Sequence, residues 1–181
     1  MYRVRAHLRA ALAALAATLW IGAAQAGEAR DPYKYFFQDT FGDFQEELAA
    51  ARDEGKQGVL IFFEMDECPF CHRMKQTVLN QPEVQDYYRK HFRLFAVDIE
   101  GDIEIVDFAG EHKKQKDWAF QDNQVRATPV IAFYDLDGKR IARYTGATSG
   151  VEEFMLLGQF VAEGQYKTTN FTKYKREHRT Q

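Results

Sequence analysis

The sequence predicts an α/β fold, a central mixed sheet flanked by helices, and three observations lead to it. Gly58-Val-Leu-Ile-Phe-Phe63 is a short apolar run rich in strand formers, as a strand buried on both faces must be. TPVIAFYDLDGKRIARYTG, from Thr128 to Gly146, is two strand-like runs joined by an Asp-Gly turn, which predicts a hairpin. Around these runs, apolar residues recur at helical spacing.

In chain order, Thr40-x-x-Asp43 reads as a capping box, with Phe41, Phe44, Leu48 and Ala51 following at helical spacing up to Gly55. After the strand at 58–63, Pro69 suits the first turn of a helix, and Cys71, Met74 and Val78 share its inner face. Pro82 opens a second helix through Val84, Tyr87 and Tyr88, and Phe92 to Val97 reads as a strand. Residues 99–117 are polar, with a brief alternation at Ile103, Ile105 and Phe108. They predict a small excursion, a hairpin, before a helix around Trp118 to Gln124. The hairpin at 128–146 comes next, and Val151, Phe154, Leu157 and Val161 define a closing helix. The aromatic cluster Tyr33-Lys-Tyr-Phe-Phe37 is expected to pack over an edge of the core. The tail from Lys167 is polar without periodicity and is expected to fray.

The first residues predict export. Arg3, Arg5 and Arg9 precede a 15-residue uncharged stretch, Ala10 to Ala24, and Ala24-Gln25-Ala26 supplies a small-x-small cleavage signal before Gly27. The stretch is shorter than the roughly 20 residues that span a bilayer, so no stable membrane insertion is expected. The expected organisation is a leader at 1–26, an extension at 27–38, one domain at 39–165 and a polar tail at 166–181. Cleavage takes the formal charge from −3 to −6, which gives no electrostatic case for nucleic-acid binding. The mature chain is expected in the periplasm as a monomer.

The chain has two cysteines, in Cys68-Pro69-Phe70-Cys71-His72. Cys-x-x-Cys is a dithiol redox motif, and with the following histidine it is also a c-type haem attachment motif. Haem would need thioethers at both sulfurs and His72 on iron, beside a sheet that occupies the same space. Met155 shares a helical phase with core residues, where a methionine is more often packing than ligand. Zinc would be one ligand short, so no metal is expected. A dithiol suits the position. A cysteine at a helix N-terminus faces unpaired N–H groups and the positive end of the helix dipole, which favour thiolate. Cys68 is then the exposed nucleophile and Cys71, one turn in, the resolving thiol.

Cys68-Pro69-Phe70-Cys71 after an apolar strand, with Ala127-Thr128-Pro129 leading into a hairpin that ends at Gly146, resembles the thioredoxin superfamily. The resemblance implies a thioredoxin-like fold over about residues 39–165 and thiol–disulfide oxidoreductase activity with no cofactor beyond a redox-active Cys68–Cys71 disulfide. It also implies a cis Thr128–Pro129 bond, with Pro69, Phe70, Thr128 and Pro129 facing a bound client. Pro82-Glu83-Val84 and the acidic VDIEGD are similar to exported thioredoxin-related proteins of the sulfur-oxidation (SoxW) type. That likeness implies client proteins with oxidised cysteines and an inner-membrane thiol electron donor.

Two positions depart from the pattern. Glu67 stands where cytoplasmic thioredoxins have tryptophan, and Phe62 where they have a buried aspartate serving the second cysteine. Glu64, on the same strand face as Phe62 by alternation, is the substitute candidate for that proton. Glu64, Asp66 and Glu67 together crowd the nucleophile with negative charge. A mildly acidified Cys68, and hence a reductase, is the expectation. The rival readings are a c-type haem protein and a non-catalytic binding module whose disulfide is static.

Overall fold

The computed structural model describes residues 28–178; the expected leader and its cleavage site lie outside them. The chain runs α1 (Pro32–Tyr35), α2 (Phe44–Asp53), β1 (Gly58–Glu64), α3 (Pro69–Thr77), α4 (Pro82–His91) and β2 (Phe92–Asp98). It continues through β3 (Glu104–Val106), β4 (His112–Lys114) and α5 (Gln115–Asp117), which passes into a π-helical turn at Trp118–Asp122. β5 (Val130–Tyr134), β6 (Arg140–Thr145), α6 (Val151–Ala162), a 3-10 turn at Gln165–Lys167 and α7 (Phe171–His178) complete it.

The main sheet has the order β2-β1-β5-β6, with β1 and β2 parallel and the other pairs antiparallel. This is the mixed sheet that the sequence predicts. β3 and β4 form the separate small hairpin expected within the excursion. β1 is buried at every residue, which explains its unbroken apolar run. Its alternate side chains feed two cores. Leu60 and Phe62 join Met74 of α3, Tyr88 of α4 and Phe154 of α6 on one face. Val59, Ile61 and Phe63 join Phe44 of α2 and Trp118 on the other.

Three local expectations are corrected. Asp43, not Thr40, caps α2, accepting from Gln45 N at 2.9 Å and Glu46 N at 3.1 Å. Thr40 Oγ1 instead accepts from Gly42 N, and Gly42 at φ +88° keeps the chain out of a helix until Asp43. Phe41, assigned to the apolar face, therefore lies outside the helix and is fully exposed. The tail does not fray at once: α7 docks on α6, with Tyr174 buried 5.3 Å from the Phe160 ring and Lys175 bonded to Glu153 at 2.6 Å.

The segment before α2 forms a strap. Its backbone bonds Arg30 N to Asn80 O at 2.8 Å and Gln38 N to Leu94 O at 2.9 Å, partly covering the open edge of β2. Arg89 donates to the carbonyls of Phe36 and Phe37 at 3.1 and 2.6 Å. Phe36 and Phe37 are buried while Tyr33 and Tyr35 stay exposed, so half of the aromatic cluster packs into the core.

Candidate active site

β1 ends at Glu64, a short turn follows, and Cys68 occupies the N-cap of α3 with Pro69 in the first turn. The Cys68 sulfur accepts a hydrogen bond from Cys71 N at 3.1 Å, the interaction that stabilises negative charge on a capping sulfur. Cys68 and Cys71 are joined in a disulfide. The expectation of a bare sulfur at 68 is corrected for this oxidised state, because Cys68 retains only 2% of its surface. It belongs to the same core cluster as Phe62, Met74 and Cys71. Phe70, between the cysteines, is 56% exposed, with the Arg73 guanidinium 5.3 Å from its ring. His72 turns back so that Nε2 lies 2.9 Å from the Asp66 carbonyl oxygen, bracing the turn that leads into Cys68.

Thr128–Pro129 is a cis peptide bond. Val130 pairs with Phe63, so Pro129 precedes β5 at the end of the sheet where β1 delivers the cysteines. Pro129 O accepts from Gly146 N at 2.8 Å, tying this corner to the end of β6. Sequence positions 68–71 and 128–129, about sixty residues apart, thus come to one end of the sheet. Thr128 is partly exposed there and Pro129 is buried.

Glu64 is brought to the same end, 8% exposed, and both carboxylate oxygens are engaged. The Tyr33 hydroxyl donates to Oε1 at 2.9 Å and the Lys75 ammonium donates to Oε2 at 2.7 Å. Lys75 also donates to the Tyr33 hydroxyl at 2.6 Å and lies 4.9 Å from that ring's centre. Burial pulls the Lys75 ammonium downward, but its bonds to Glu64 and Tyr33 outweigh that and hold it above its ordinary pKa. Burial, with Glu64 alongside, likewise raises the Tyr33 phenol. The charge count of the sequence reading changes accordingly. Glu64 is paired with Lys75, and exposed Asp66 and Glu67 remain beside the cysteine turn, with His72 and Arg73 following on α3.

Lys75 and Tyr33 are the site neighbours that sequence reasoning missed. Lys75 was legible in part, four residues beyond Cys71 and therefore on the same helical face. Tyr33 gives no local signal, because it arrives from the strap 42 residues earlier in the chain than Lys75.

Residues 44–162 match the thioredoxin-like domain family. The chain belongs to that family. The strap and α7 lie outside the matched residues. Its fold is similar to a thioredoxin-fold protein from Helicobacter pylori, at 25% identity over 70% of this chain and 88% of that one, with a TM-score of 0.57. It is also similar to a thioredoxin from Thermus thermophilus, at 20% identity over 70% and 87% of the two chains, TM-score 0.54. A third similar fold is the DsbH oxidoreductase, at 18% identity over 72% and 89%, TM-score 0.52. Among curated proteins, none matches the chain.

Proposed function

We propose that this thioredoxin-like protein is a thiol–disulfide oxidoreductase that reduces protein disulfides. The observation that carries the reading is the Cys68 sulfur at the N-cap of α3, bonded to Cys71 and accepting from Cys71 N at 3.1 Å. In the reduced protein, the Cys68 thiolate attacks one sulfur of a client disulfide and the other client sulfur leaves as thiolate. Cys71 then loses its proton to Glu64 and attacks the Cys68 sulfur. The mixed disulfide breaks, the second client thiolate takes a proton from water, and the client gains two electrons while Cys68–Cys71 becomes a disulfide. Phe70 and Pro69, with Thr128 and Pro129 at the same end of the sheet, are the surface we assign to the client.

Exposed Asp66 and Glu67 oppose thiolate formation at Cys68 and support the reducing direction. The leader-like sequence pattern at 1–26 supports a periplasmic site of action, and the motif likeness to SoxW-type proteins supports an inner-membrane dithiol donor as the source of electrons. A monomer is the simplest working state. Against the haem reading, the two sulfurs are bonded to each other and His72 Nε2 lies at the Asp66 carbonyl. Insulin reduction coupled to dithiothreitol tests the function: turnover must vanish in Cys68→Ser, and Cys71→Ser must accumulate mixed disulfides with its clients. A static disulfide gives no turnover. A reduction potential near the roughly −120 mV of a strong oxidant would overturn the reducing direction.

A further inference from the structure

We infer that Arg73 and Arg126, each resting on an exposed phenylalanine ring, select clients whose cysteines are flanked by acidic residues. This rests on the oxidoreductase reading and adds the chemical class of its clients. Arg73 follows Phe70 by three residues on the exposed side of α3, with its guanidinium 5.3 Å from that ring's centre. Arg126 stands two residues before Thr128, at most about 7 Å along the chain. Its guanidinium lies 5.4 Å from the centre of the exposed Phe120 ring. Other arginines are engaged within the fold. Arg30, Arg52 and Arg93 pair with carboxylates, and Arg89, Arg140 and Arg143 donate to carbonyl or amide oxygens. Among the described residues, no carboxylate pairs with Arg73 or Arg126. A guanidinium resting on a ring keeps N–H donors open, and their fork matches a carboxylate.

The loop that carries Arg126 is fixed before any client arrives. Gln124 takes a φ of +52°, a left-handed conformation that persists in a non-glycine residue only where its surroundings enforce it. Arg143 enforces it from β6, donating to Asn123 O at 2.9 Å and Gln124 O at 3.3 Å, and the Tyr134 hydroxyl donates to the Asn123 side chain. Val125 N bonds Ala119 O at 2.9 Å, so Val125 enters the core while Arg126 stays outside beside Phe120. Asp66 and Glu67 lie on the turn that enters Cys68, so the face is polarised: acids at the turn, guanidiniums on α3 and the cis-proline loop. An acidic client segment is drawn to the second side and repelled from the first. The net formal charge of −3, more negative without the leader arginines, opposes an anionic lipid surface and favours a local acidic segment of a protein.

The test mixes the reduced mature chain with two fluorogenic peptides, each closed by one disulfide and identical except for two glutamates or two lysines beside the cysteines. Each second-order rate constant is divided by that for dithiothreitol, which removes the peptides' intrinsic difference in reactivity. The wild type should favour the glutamate peptide by about five- to tenfold at low ionic strength, and by less at about 0.5 M salt. Arg73→Gln and Arg126→Gln should each lower that ratio by about two- to threefold, and Arg126→Glu by more. Arg73→Gln with Arg126→Gln should bring it to one or below, because Asp66 and Glu67 remain. Both side chains are exposed, and thermal midpoints establish that the variants fold. A change that only disturbs the cysteine geometry slows both peptides alike, so an unchanged ratio in the double variant overturns the proposal. A wild-type ratio of one does the same. Binding to phosphatidylglycerol vesicles that the double variant loses, with its peptide ratio unchanged, assigns the arginines to a lipid surface and also overturns it. In all three cases the oxidoreductase reading stands. A wild type that reduces neither peptide overturns that reading instead.

Discussion

Phe37, in the strap ahead of the thioredoxin-like domain, packs its ring 5.7 Å from that of Phe62, six residues before Cys68 in the strand that leads to the cysteines. The position where thioredoxins are expected to carry a buried acid is thereby closed by two fully or nearly fully buried aromatic rings. Two residues along the same strand face, Glu64 places a buried carboxylate whose partners come from the strap and α3.

Phe62→Asp should therefore destabilise the protein. An unpaired carboxylate in this cluster costs about 3–5 kcal/mol at neutral pH. The apolar site favours the protonated acid, so the folded state binds the proton more tightly than the unfolded chain. The penalty should grow as pH rises above the ordinary aspartate value of about 4. Urea unfolding of the variant at acidic and neutral pH checks this, and equal penalties at both would contradict the packing described.

Tyr88 fastens α4 to α6. Its ring stacks on Phe154 at 4.3 Å, and its hydroxyl donates to the Phe154 carbonyl at 2.6 Å. Gly158 makes room for it, since a Cβ there would lie 2.8 Å from Tyr88 Cζ. Tyr88→Phe should cost about 1 kcal/mol through the lost bond. Gly158→Ala should cost about 1–3 kcal/mol despite alanine's better helix propensity. A thermal midpoint raised by Gly158→Ala would show that the two helices have slack at this crossing.

At the other end of the chain, burial by itself would raise the Glu153 carboxyl, but the Lys175 ammonium and the Ser149 donors bring it down to about 2. A carboxyl lowered by folding contributes stability that is complete above its ordinary value of 4.5 and is lost as pH falls toward 2. Lys175→Met should cost about 1 kcal/mol at neutral pH and flatten the loss of stability across that acidic window. Tyr174→Ala, which empties a buried aromatic site under α7, should cost about 3–5 kcal/mol. Chemical denaturation against pH measures both; a neutral Tyr174→Ala would return the tail to the frayed state expected from its composition.

Phe70 is the exposed ring beside the disulfide. Phe70→Ala should slow reduction of a protein disulfide by about five- to tenfold, the equivalent of roughly 1 kcal/mol of apolar contact. It should leave the rate with a small symmetric disulfide nearly unchanged. Equal loss with both substrates would assign Phe70 to the cysteine geometry and not to client contact.

Much of the fold was legible because its signals are local. The β1 run, the Asp-Gly hairpin and the spacing of Val151, Phe154, Leu157 and Val161 each report burial of a residue's own segment. The capping error at Thr40 arose from the same locality. A box pattern cannot register that Gly42 takes a positive φ and that Val106 N bonds its carbonyl from the excursion. In the tail, Phe171, Tyr174 and His178 do share a face, but three positions among many charges are a weak pattern until α6 is there to receive them.

By itself the sequence determined the main-sheet strands and the helices that cover them, the cysteine turn at a strand-to-helix corner and the pairing of that turn with Thr128-Pro129 through a family likeness, but not the tail helix α7 or the start of α2. Those features depend on neighbours a few residues apart or on a motif order carried along the chain. Only the tertiary structure decided that Cys68 is buried when oxidised, that Lys75 neutralises Glu64, and that Tyr33 reaches across from the strap. Charge and exposure are sums over spatial neighbours, and here the deciding neighbours come from segments that are remote along the chain and meet only once the sheet has brought them together.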